Sequence, residues 1–208
     1  MGALTYFNLT DFINHYGCET YVETGTGTGN CLRHALKFNF KANYSIDMDE
    51  GLITDAEREF KEDNVEFINK ISTEALDELI PKLPKDKAIL FWLDAHYPEA
   101  DFRGLSHVES VEKYEKDVCF PLLKEIKVIK SYRDISKDCF ILDDWINYDR
   151  KLEYETKIVT EKTTCPDHKK PILREFVDTH NCKAHLMQEG YLIAVPKKEN
   201  FWPSHTYF

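Results

Sequence analysis

A run of alternating glycines between residues 19 and 31 constrains the fold of this chain more than any other feature. The segment reads Glu19-Thr-Tyr-Val-Glu-Thr-Gly-Thr-Gly-Thr-Gly-Asn-Cys31. A short β-rich run from Thr20 to Val22 ends in Glu23, and a helix-like stretch at 31–36 follows the glycines at once. Because glycine has no Cβ, the backbone can turn tightly there and approach a ligand closely. Strand, acidic glycine-rich turn and helix are the order in which an α/β sheet builds a nucleotide pocket.

The spacing of the glycines distinguishes two kinds of pocket. A dinucleotide site requires G-x-G-x-x-G, but the last glycine of that pattern falls on Asn30 here. The pattern present, E-x-G-x-G-x-G, resembles motif I of the class I S-adenosylmethionine (SAM) methyltransferases, in which the acid faces the methionine end of the cofactor. A glycine-rich turn without a ligand is the alternative. The resemblance implies a SAM site formed by Glu23, Thr24, Gly25, Thr26, Gly27, Gly29 and Asn30.

Two further segments are expected to complete the cofactor site. A predicted strand at 43–46 ends in Asp47, whose carboxylate could accept hydrogen bonds from both ribose hydroxyls, with Met48 against the adenine. The alternative is that Asp47 only caps the following helix. Members of the family often carry Gly-Asp-Ser after the third strand, whereas this chain has Lys-Ile-Ser ending at Ser72. Ser72 matches, but the acid is missing, and Asn69 is a possible substitute in adenine recognition.

Acidic residues follow two other predicted strands. Strand 88–93 is wholly apolar, which indicates a central strand covered on both faces, and it leads into Asp94 and His96. Strand 139–142 leads into Asp143 and Asp144. These two strands are neighbours in the fold that the resemblance implies, so their acids should converge. Because clustered carboxylates repel one another, we expect Asp94, Asp143 and Asp144 to hold Mg²⁺ or Mn²⁺; helix capping or pairing with Lys or Arg is the alternative.

The order of elements predicts one α/β domain over residues 1–208. Five β/α units precede a hairpin of strands 183–187 and 191–195 with a turn at 188–190. This order is that of class I methyltransferases, and the resemblance spans residues 18–197. It implies a Rossmann-like three-layer sandwich with a mostly parallel seven-stranded sheet and a C-terminal antiparallel hairpin. Helices are predicted at 8–16, 31–36, 53–60, 73–80, 120–129 and 171–177, with a loop or small excursion from 145 to about 170.

The polar connection at 97–119 is the expected acceptor-binding insertion, since long loops in compact domains are often binding loops. Three segments resemble those of the sugar and small-molecule O-methyltransferases: residues 91–96, the helix Pro-Leu-Leu-Lys-Glu-Ile, and residues 141–144. The resemblance implies methyl transfer to a hydroxyl. The hydroxyl could be activated by His96 as a general base, with His107 a weaker candidate, or by the metal. The predicted catalytic residues are Asp94, His96, Asp143 and Asp144.

Charge and composition argue against other functions. The net charge of −10 and the short basic cluster at 168–170 do not provide the basic face that grips nucleic acid. Asp94-Ala-His-Tyr97 stands where nucleic-acid amino-methyltransferases carry Asp/Asn-Pro-Pro-Tyr/Phe, but both prolines are absent. A second alternative is a non-catalytic SAM-fold subunit that binds a partner or an oligosaccharide. The expected partner is therefore a small-molecule or glycan acceptor.

The sequence also indicates where the protein works. No apolar run approaches the roughly 20 residues of a membrane span, and the N-terminus lacks the basic region of a signal peptide. The six cysteines include no C-x-x-C pair, so we expect reduced thiols in a cytoplasmic protein. A chain of this length also fits one piece of a larger multidomain protein.

Overall fold

The computed structural model describes residues 3–61, 63–148, 164–185, 190–197 and 202–203. Within this part of the chain, seven strands form one sheet. The strands are β1 (Cys18–Thr24), β2 (Ala42–Asp47), β3 (Val65–Asn69), β4 (Ala88–Leu93), β5 (Cys139–Leu142), β6 (His180–His185) and β7 (Tyr191–Pro196).

The strand order is β3-β2-β1-β4-β5-β7-β6. The five strands from β3 to β5 pair in parallel, while β7 runs antiparallel to both β5 and β6. The predicted mostly parallel seven-stranded sheet with an antiparallel C-terminal hairpin is confirmed. Because the parallel strands all end at one edge, the residues after β1, β2, β4 and β5 are brought together there.

The described helices flank this sheet. They are α1 (Leu9–Tyr16), α2 (Asn30–Ala35), α3 (Glu50–Glu59), α4 (Ser72–Leu79), α5 (Ala100–Arg103), α6 (His107–Lys113), α7 (Lys116–Cys119), α8 (Leu122–Tyr132) and α9 (Lys169–Phe176). Across the described ranges, every helix is too short or too polar to cross a bilayer.

Strand β4 connects two hydrophobic layers. Phe91 and Leu93 belong to the core cluster on one face of the sheet, and Leu90 and Trp92 to the cluster on the other. Alternate side chains of a strand point to opposite faces, so a strand that is apolar throughout must be covered on both. This confirms β4 as the central strand. The residues that follow β4 therefore lie in the middle of the edge at which the parallel strands end.

Some predicted boundaries were wrong. Strand β6 begins at His180, three residues before the predicted start at 183, because the buried imidazole of His180 lies 2.9 Å from the carbonyl oxygen of Asp138 and fixes the strand there. The predicted helix at 120 begins at Leu122, since Pro121 is its N-cap. The predicted strand residues 186–187, the turn at 188–189 and segment 149–163 lie outside the described residues.

The connection at 97–119 contains three short helices, α5 to α7, where a long irregular loop was expected. Ser106 and Glu109 form a reciprocal capping box at the start of α6, and Gly104 ends α5 in the left-handed conformation. Capping of this kind satisfies the end groups of helices that are too short to be stable alone. The expected acceptor-binding insertion is therefore a folded part of the wall around the site edge.

A buried ion pair lies at the amino-terminal ends of the central strands, opposite the edge at which the parallel strands end. Arg133, after α8, donates to both carboxylate oxygens of Asp138 at 2.8 and 2.9 Å, and both side chains are almost completely buried. Asp138 also accepts from the amide of Ile89, while Arg133 donates to the carbonyls of Pro84 and Lys87. The pair thus joins the carboxyl end of α8 to the amino-terminal ends of β4 and β5.

We expect Asp138→Asn to lower the free energy of unfolding by about 3–5 kcal/mol, because it leaves the Arg133 guanidinium buried without a counter-charge. Urea unfolding at neutral pH measures this. The control is Asp55→Asn, which removes one partner of the exposed Arg58–Asp55 pair and should change stability by no more than about 0.5 kcal/mol. Equal effects of the two substitutions would contradict the assignment.

Candidate active site

The glycine-rich turn brings the end of β1 against the end of β4. Gly25 has a φ of +84°, and a Cβ at this position would lie 2.8 Å from the backbone oxygen of Asp94. The amides of Gly25 and Thr26 both donate to the carbonyl of Ile46 at the end of β2. Glycine is needed at position 25 because the neighbouring strand, and not only a ligand, approaches the backbone there.

A cavity lies between this turn, the end of β2, the start of α4 and residues 94–103. Nine of the predicted site residues line it: Gly25, Thr26, Gly27, Asn30, Asp47, Met48, Ser72, Asp94 and His96. Asp143 and Asp144 line a small adjoining cleft that shares Asp94 and His96 with it. Glu23, Thr24 and Gly29 line neither cavity.

Asp47 is joined to the glycine turn and does not cap α3. Its Oδ2 accepts from the amide of Gly27 at 3.0 Å, and its Oδ1 accepts from the amide of Asp49. The N-cap of α3 is Asp49, which accepts from the amide of Leu52. Burial raises the pKa of Asp47, and the backbone hydrogen bonds oppose that change. The acid therefore faces the cavity from the position expected of a ribose-binding carboxylate.

The start of α4 forms the base of the same cavity. Lys70, Ile71 and Ser72 all line it, whereas Asn69 does not. The side-chain amide of Asn69 donates to the carbonyl of Asp47, so this residue is engaged beside the cavity. The ammonium of Lys70 pairs with Glu78. Among the predicted residues of this segment, the structure places Ser72 at the cavity and leaves Asn69 out.

Glu23 lies beneath the cavity, which contradicts its predicted contact with the cofactor. Its carboxylate is completely buried and accepts from the hydroxyls of Tyr21 at 2.7 Å and Ser45 at 2.6 Å. The hydroxyl of Thr26, in the glycine turn, lies 2.7 Å from that of Ser45. Burial raises the pKa of Glu23 to about 8, although both hydroxyl partners oppose the change. The chain from Tyr21 to Thr26 supports the turn from below.

Asp94, His96 and Asp144 form one cluster. His96 Nδ1 lies 2.7 Å from the carbonyl oxygen of Asp94 and 3.3 Å from its Oδ1, and Nε2 lies 2.7 Å from Asp144 Oδ2. One ligand atom of each residue lies within 4.8 Å of the others. The three residues that could hold a metal are therefore Asp94, His96 and Asp144, whereas the predicted set had Asp143 in place of His96. Asp143 is turned inward, and its Oδ1 accepts a hydrogen bond from the amide of Asp144.

The electrostatics of this cluster are those of a functional site. Burial disfavours charge on His96, but the carboxylates of Asp144 and Asp94 outweigh it and raise the pKa of the imidazole well above its usual value. Burial also raises the pKa of Asp94, against the effect of His96. Asp144 has a positive φ of 52°, and the other non-glycine residues described with positive φ are nearby, Tyr97 and Glu99. Strain of this kind concentrates at functional sites.

Helices α5 and α6 contribute an outer wall that sequence reasoning did not resolve. Phe102 contacts the glycine turn, since a Cβ on Gly27 would lie 3.0 Å from its ring, and Arg103 makes a double ion pair with Asp49 at 2.5 Å. His107, the weaker base candidate, does not line the cavity. Its ring stacks on Tyr97. The sequence contains no spacing signal that pairs Arg103 with Asp49, because the two lie far apart along the chain.

No protein-family model matches the sequence, and no curated protein matches it. Solved structures do match. One from Staphylococcus aureus, provisionally described as a caffeoyl-CoA O-methyltransferase, has a TM-score of 0.60 at 12% identity over 90% of this chain and 80% of its own. One from Klebsiella pneumoniae, provisionally described as an O-methyltransferase, has a TM-score of 0.56 at 12% identity over 90% and 77%.

A third structure, from Methanococcus maripaludis, is provisionally described as a SAM-dependent methyltransferase. It has a TM-score of 0.51 at 13% identity over 95% of this chain and 87% of its own. At such low identity these likenesses concern the fold. Together with the strand order, they show that this chain has the class I SAM-dependent methyltransferase fold.

The raised pKa of Glu23 gives a pH-dependent prediction. The folded protein holds a proton on this group up to about pH 8, whereas the usual value is 4.5. Stability from this group is therefore complete below the unfolded pKa and is lost as the pH rises toward 8. We expect wild type to lose about 2–4 kcal/mol relative to Glu23→Gln between pH 5 and pH 8.

Urea unfolding of both proteins at four pH values across this range measures the difference in their free energies of unfolding. The contributions of the other titrating groups are the same in both proteins and cancel in that difference. Glu19→Gln is the matched control, because Glu19 is only partly buried and its pKa is lowered by Lys41 and Lys87. Its difference from wild type should stay flat above pH 5. A flat difference for Glu23→Gln as well would show that burial does not hold a proton on this acid.

Proposed function

We propose that this protein is a SAM-dependent O-methyltransferase that transfers a methyl group to a hydroxyl of a sugar or glycan. The observation that carries the proposal is one cavity with Asp47 at one side and Asp94 and His96 at the other, where an adjoining cleft adds Asp144. The O-methyltransferase descriptions of two proteins with the same fold support the reaction class.

The residues around the cavity fit SAM. Asp47 offers a carboxylate to ribose hydroxyls, while Met48, whose side chain is partly exposed, and Ile71 offer apolar surface to a base. The glycine turn leaves backbone room beside Asp94. When bound, SAM supplies an activated methyl group on a cationic sulfonium. The acidic side chains that line the cavity favour a ligand of that charge.

The acceptor hydroxyl loses its proton as the new carbon–oxygen bond forms and the carbon–sulfur bond breaks, so a group must take that proton. His96 is placed for this role. The carbonyl of Asp94 accepts from Nδ1, which leaves Nε2 facing Asp144 as the nitrogen that can exchange a proton. The two carboxylates hold a charged imidazole at rest, so their charge must be offset before Nε2 can accept a proton.

A divalent cation, Mg²⁺ or Mn²⁺, fits this requirement. Within the described chain, Asp94 Oδ1, Asp143 Oδ2 and Asp144 Oδ2 are buried without a well-formed hydrogen bond, and the ion-pair contacts of Asp94 Oδ1 and Asp144 Oδ2 are to His96, at 3.3 and 2.7 Å. A cation would offset the charge of these clustered carboxylates. Asp94 Oδ1 and Asp144 Oδ2 would hold the ion, which would leave His96 Nε2 available to take the proton of the acceptor hydroxyl. Bound there, the ion would lower the pKa of the acceptor hydroxyl. Asp143, predicted as a ligand, would instead fix the backbone at Asp144.

The proposal extends to the acceptor and the compartment. Residues 97–119 form the wall beside the catalytic cluster, so we assign acceptor binding to this segment. Glu99 and Asp101 make the wall acidic, which favours a sugar over nucleic acid.

No disulfide joins the cysteines of the described chain, which supports a cytoplasmic location. A non-catalytic subunit has no use for a strained, partly unpaired cluster of this kind, which argues for the enzyme.

We expect SAM to bind, and Asp47→Asn to weaken the binding at least about tenfold, because the amide accepts fewer hydrogen bonds from the ribose. Isothermal titration calorimetry measures both affinities. Asp86→Asn is the control, since Asp86 is exposed and away from the cavity. If wild type shows no heat of binding at high SAM concentration, the proposed function is wrong.

We also expect Asp144→Ala to reduce methyl transfer at least about 100-fold while SAM affinity stays within about threefold, because Asp144 borders the cleft and not the cofactor cavity. Transfer of tritium from labelled SAM to a panel of glycosides measures the rate. Treatment of wild type with EDTA should have the same effect, reversed by Mg²⁺ or Mn²⁺. An unchanged rate in EDTA would remove the metal from the proposal.

A further inference from the structure

Helix α8 places an ionisable group, which the proposed reaction does not use, beneath the residues that line the site. Glu125, in the first turn of α8, is completely buried, and its polar neighbours are the hydroxyls of Ser72 and Thr24. Neither carboxylate oxygen makes a well-formed hydrogen bond to any residue of the described chain. Burial raises the pKa of Glu125 to about 7, against the effect of the two hydroxyls.

A carboxyl group in this state destabilises the fold. Burying a polar group without good hydrogen bonds costs free energy, whereas an apolar side chain of similar size at the same place would gain it. Asp138 shows the contrast within this protein: burial raises its pKa to about 7 as well, but Arg133 and the amide of Ile89 donate well-formed hydrogen bonds to it. Stability therefore explains the carboxylate of Asp138 and does not explain that of Glu125.

The two hydroxyls beside Glu125 lead directly to the site. Thr24 ends β1, and its hydroxyl and carbonyl oxygens accept from the amide of Asp94 at 3.3 and 3.1 Å. Ser72 begins α4 and lines the cofactor cavity. Glu125 itself lines neither the cavity nor the adjoining cleft, so it can act on a ligand only through these neighbours.

We propose that Glu125 is a positioning residue: its buried carboxyl group orients the hydroxyls of Thr24 and Ser72 and so fixes Asp94 and the first turn of α4 around the cofactor. This inference rests on the proposed function, because the cofactor that it names is SAM. The hydrogen bonds become well formed when the bound cofactor sets the position of Ser72. The carboxyl group lowers the stability of the fold, and it is retained because it improves cofactor binding.

The test compares Glu125→Met and Glu125→Gln with wild type by thermal unfolding and by calorimetric titration with SAM. Methionine is of similar size and has no strong hydrogen-bonding group, so we expect an equal or higher melting temperature and SAM binding weakened at least about tenfold. Glutamine retains an acceptor and adds a donor, so its affinity should stay within about threefold of wild type. Asp138→Asn is the control and should lower the melting temperature while leaving SAM affinity unchanged.

Four results would overturn the proposal. Wild-type affinity in Glu125→Met would show that the carboxyl group does not position the site. A lower melting temperature in both Glu125 variants would make its role structural, and equal loss of affinity in both would assign the effect to charge. If wild type itself fails to bind SAM, the proposed function falls and this inference with it. If wild type binds and Glu125→Met binds equally well, only the inference falls.

Discussion

The close contact between Gly25 and the backbone of Asp94 is the constraint on which the site depends. It lets the turn after β1 lie directly against the end of β4, so the cofactor side and the reacting side of the cavity share one piece of backbone. Any side chain at position 25 would force the two strand ends apart. In the proposed reaction, the distance between the bound methyl donor and the cluster at Asp94 would therefore be set by main-chain packing, which is stiffer than side-chain contact.

The second organising feature is the concentration of acids at one edge of the sheet. Glu23, Glu125 and Asp143 are buried there and Asp94 is largely so, and desolvation raises the pKa of each. They serve different purposes. Glu23 supports the glycine turn from below, Asp143 holds the backbone of its neighbour, and Asp94 faces the cavity. Acidic residues thus lie at several depths at this edge of the sheet, and of these four only Asp94 lines the cavity.

Much of this could be predicted from the sequence, since the apolar run of β4 and the acids that follow it identify a central strand and a functional edge. The strand order came from the resemblance to class I methyltransferases, and the position of Asp47 from the predicted strand that it follows. The roles of Glu23 and Asp143 did not, because a sequence shows that an acid follows a strand but not whether its side chain turns inward. The sequence predicts a helix over residues 120–129 but gives no sign that the side chain of Glu125 is buried. Its depth depends on how α8 lies against α4, which no local pattern records.

The buried pair of Arg133 and Asp138 lies at the amino-terminal side of β4 and β5, whereas the acids of the site follow the carboxyl ends of the same strands. The group that secures the scaffold and the groups that would do chemistry are thus separated by the full length of the central strands. Substitutions in the helical wall at 97–119 can accumulate without disturbing that anchor. Such a division favours evolutionary change of acceptor preference on a constant frame, which is consistent with a shared fold at 12% identity to structural relatives.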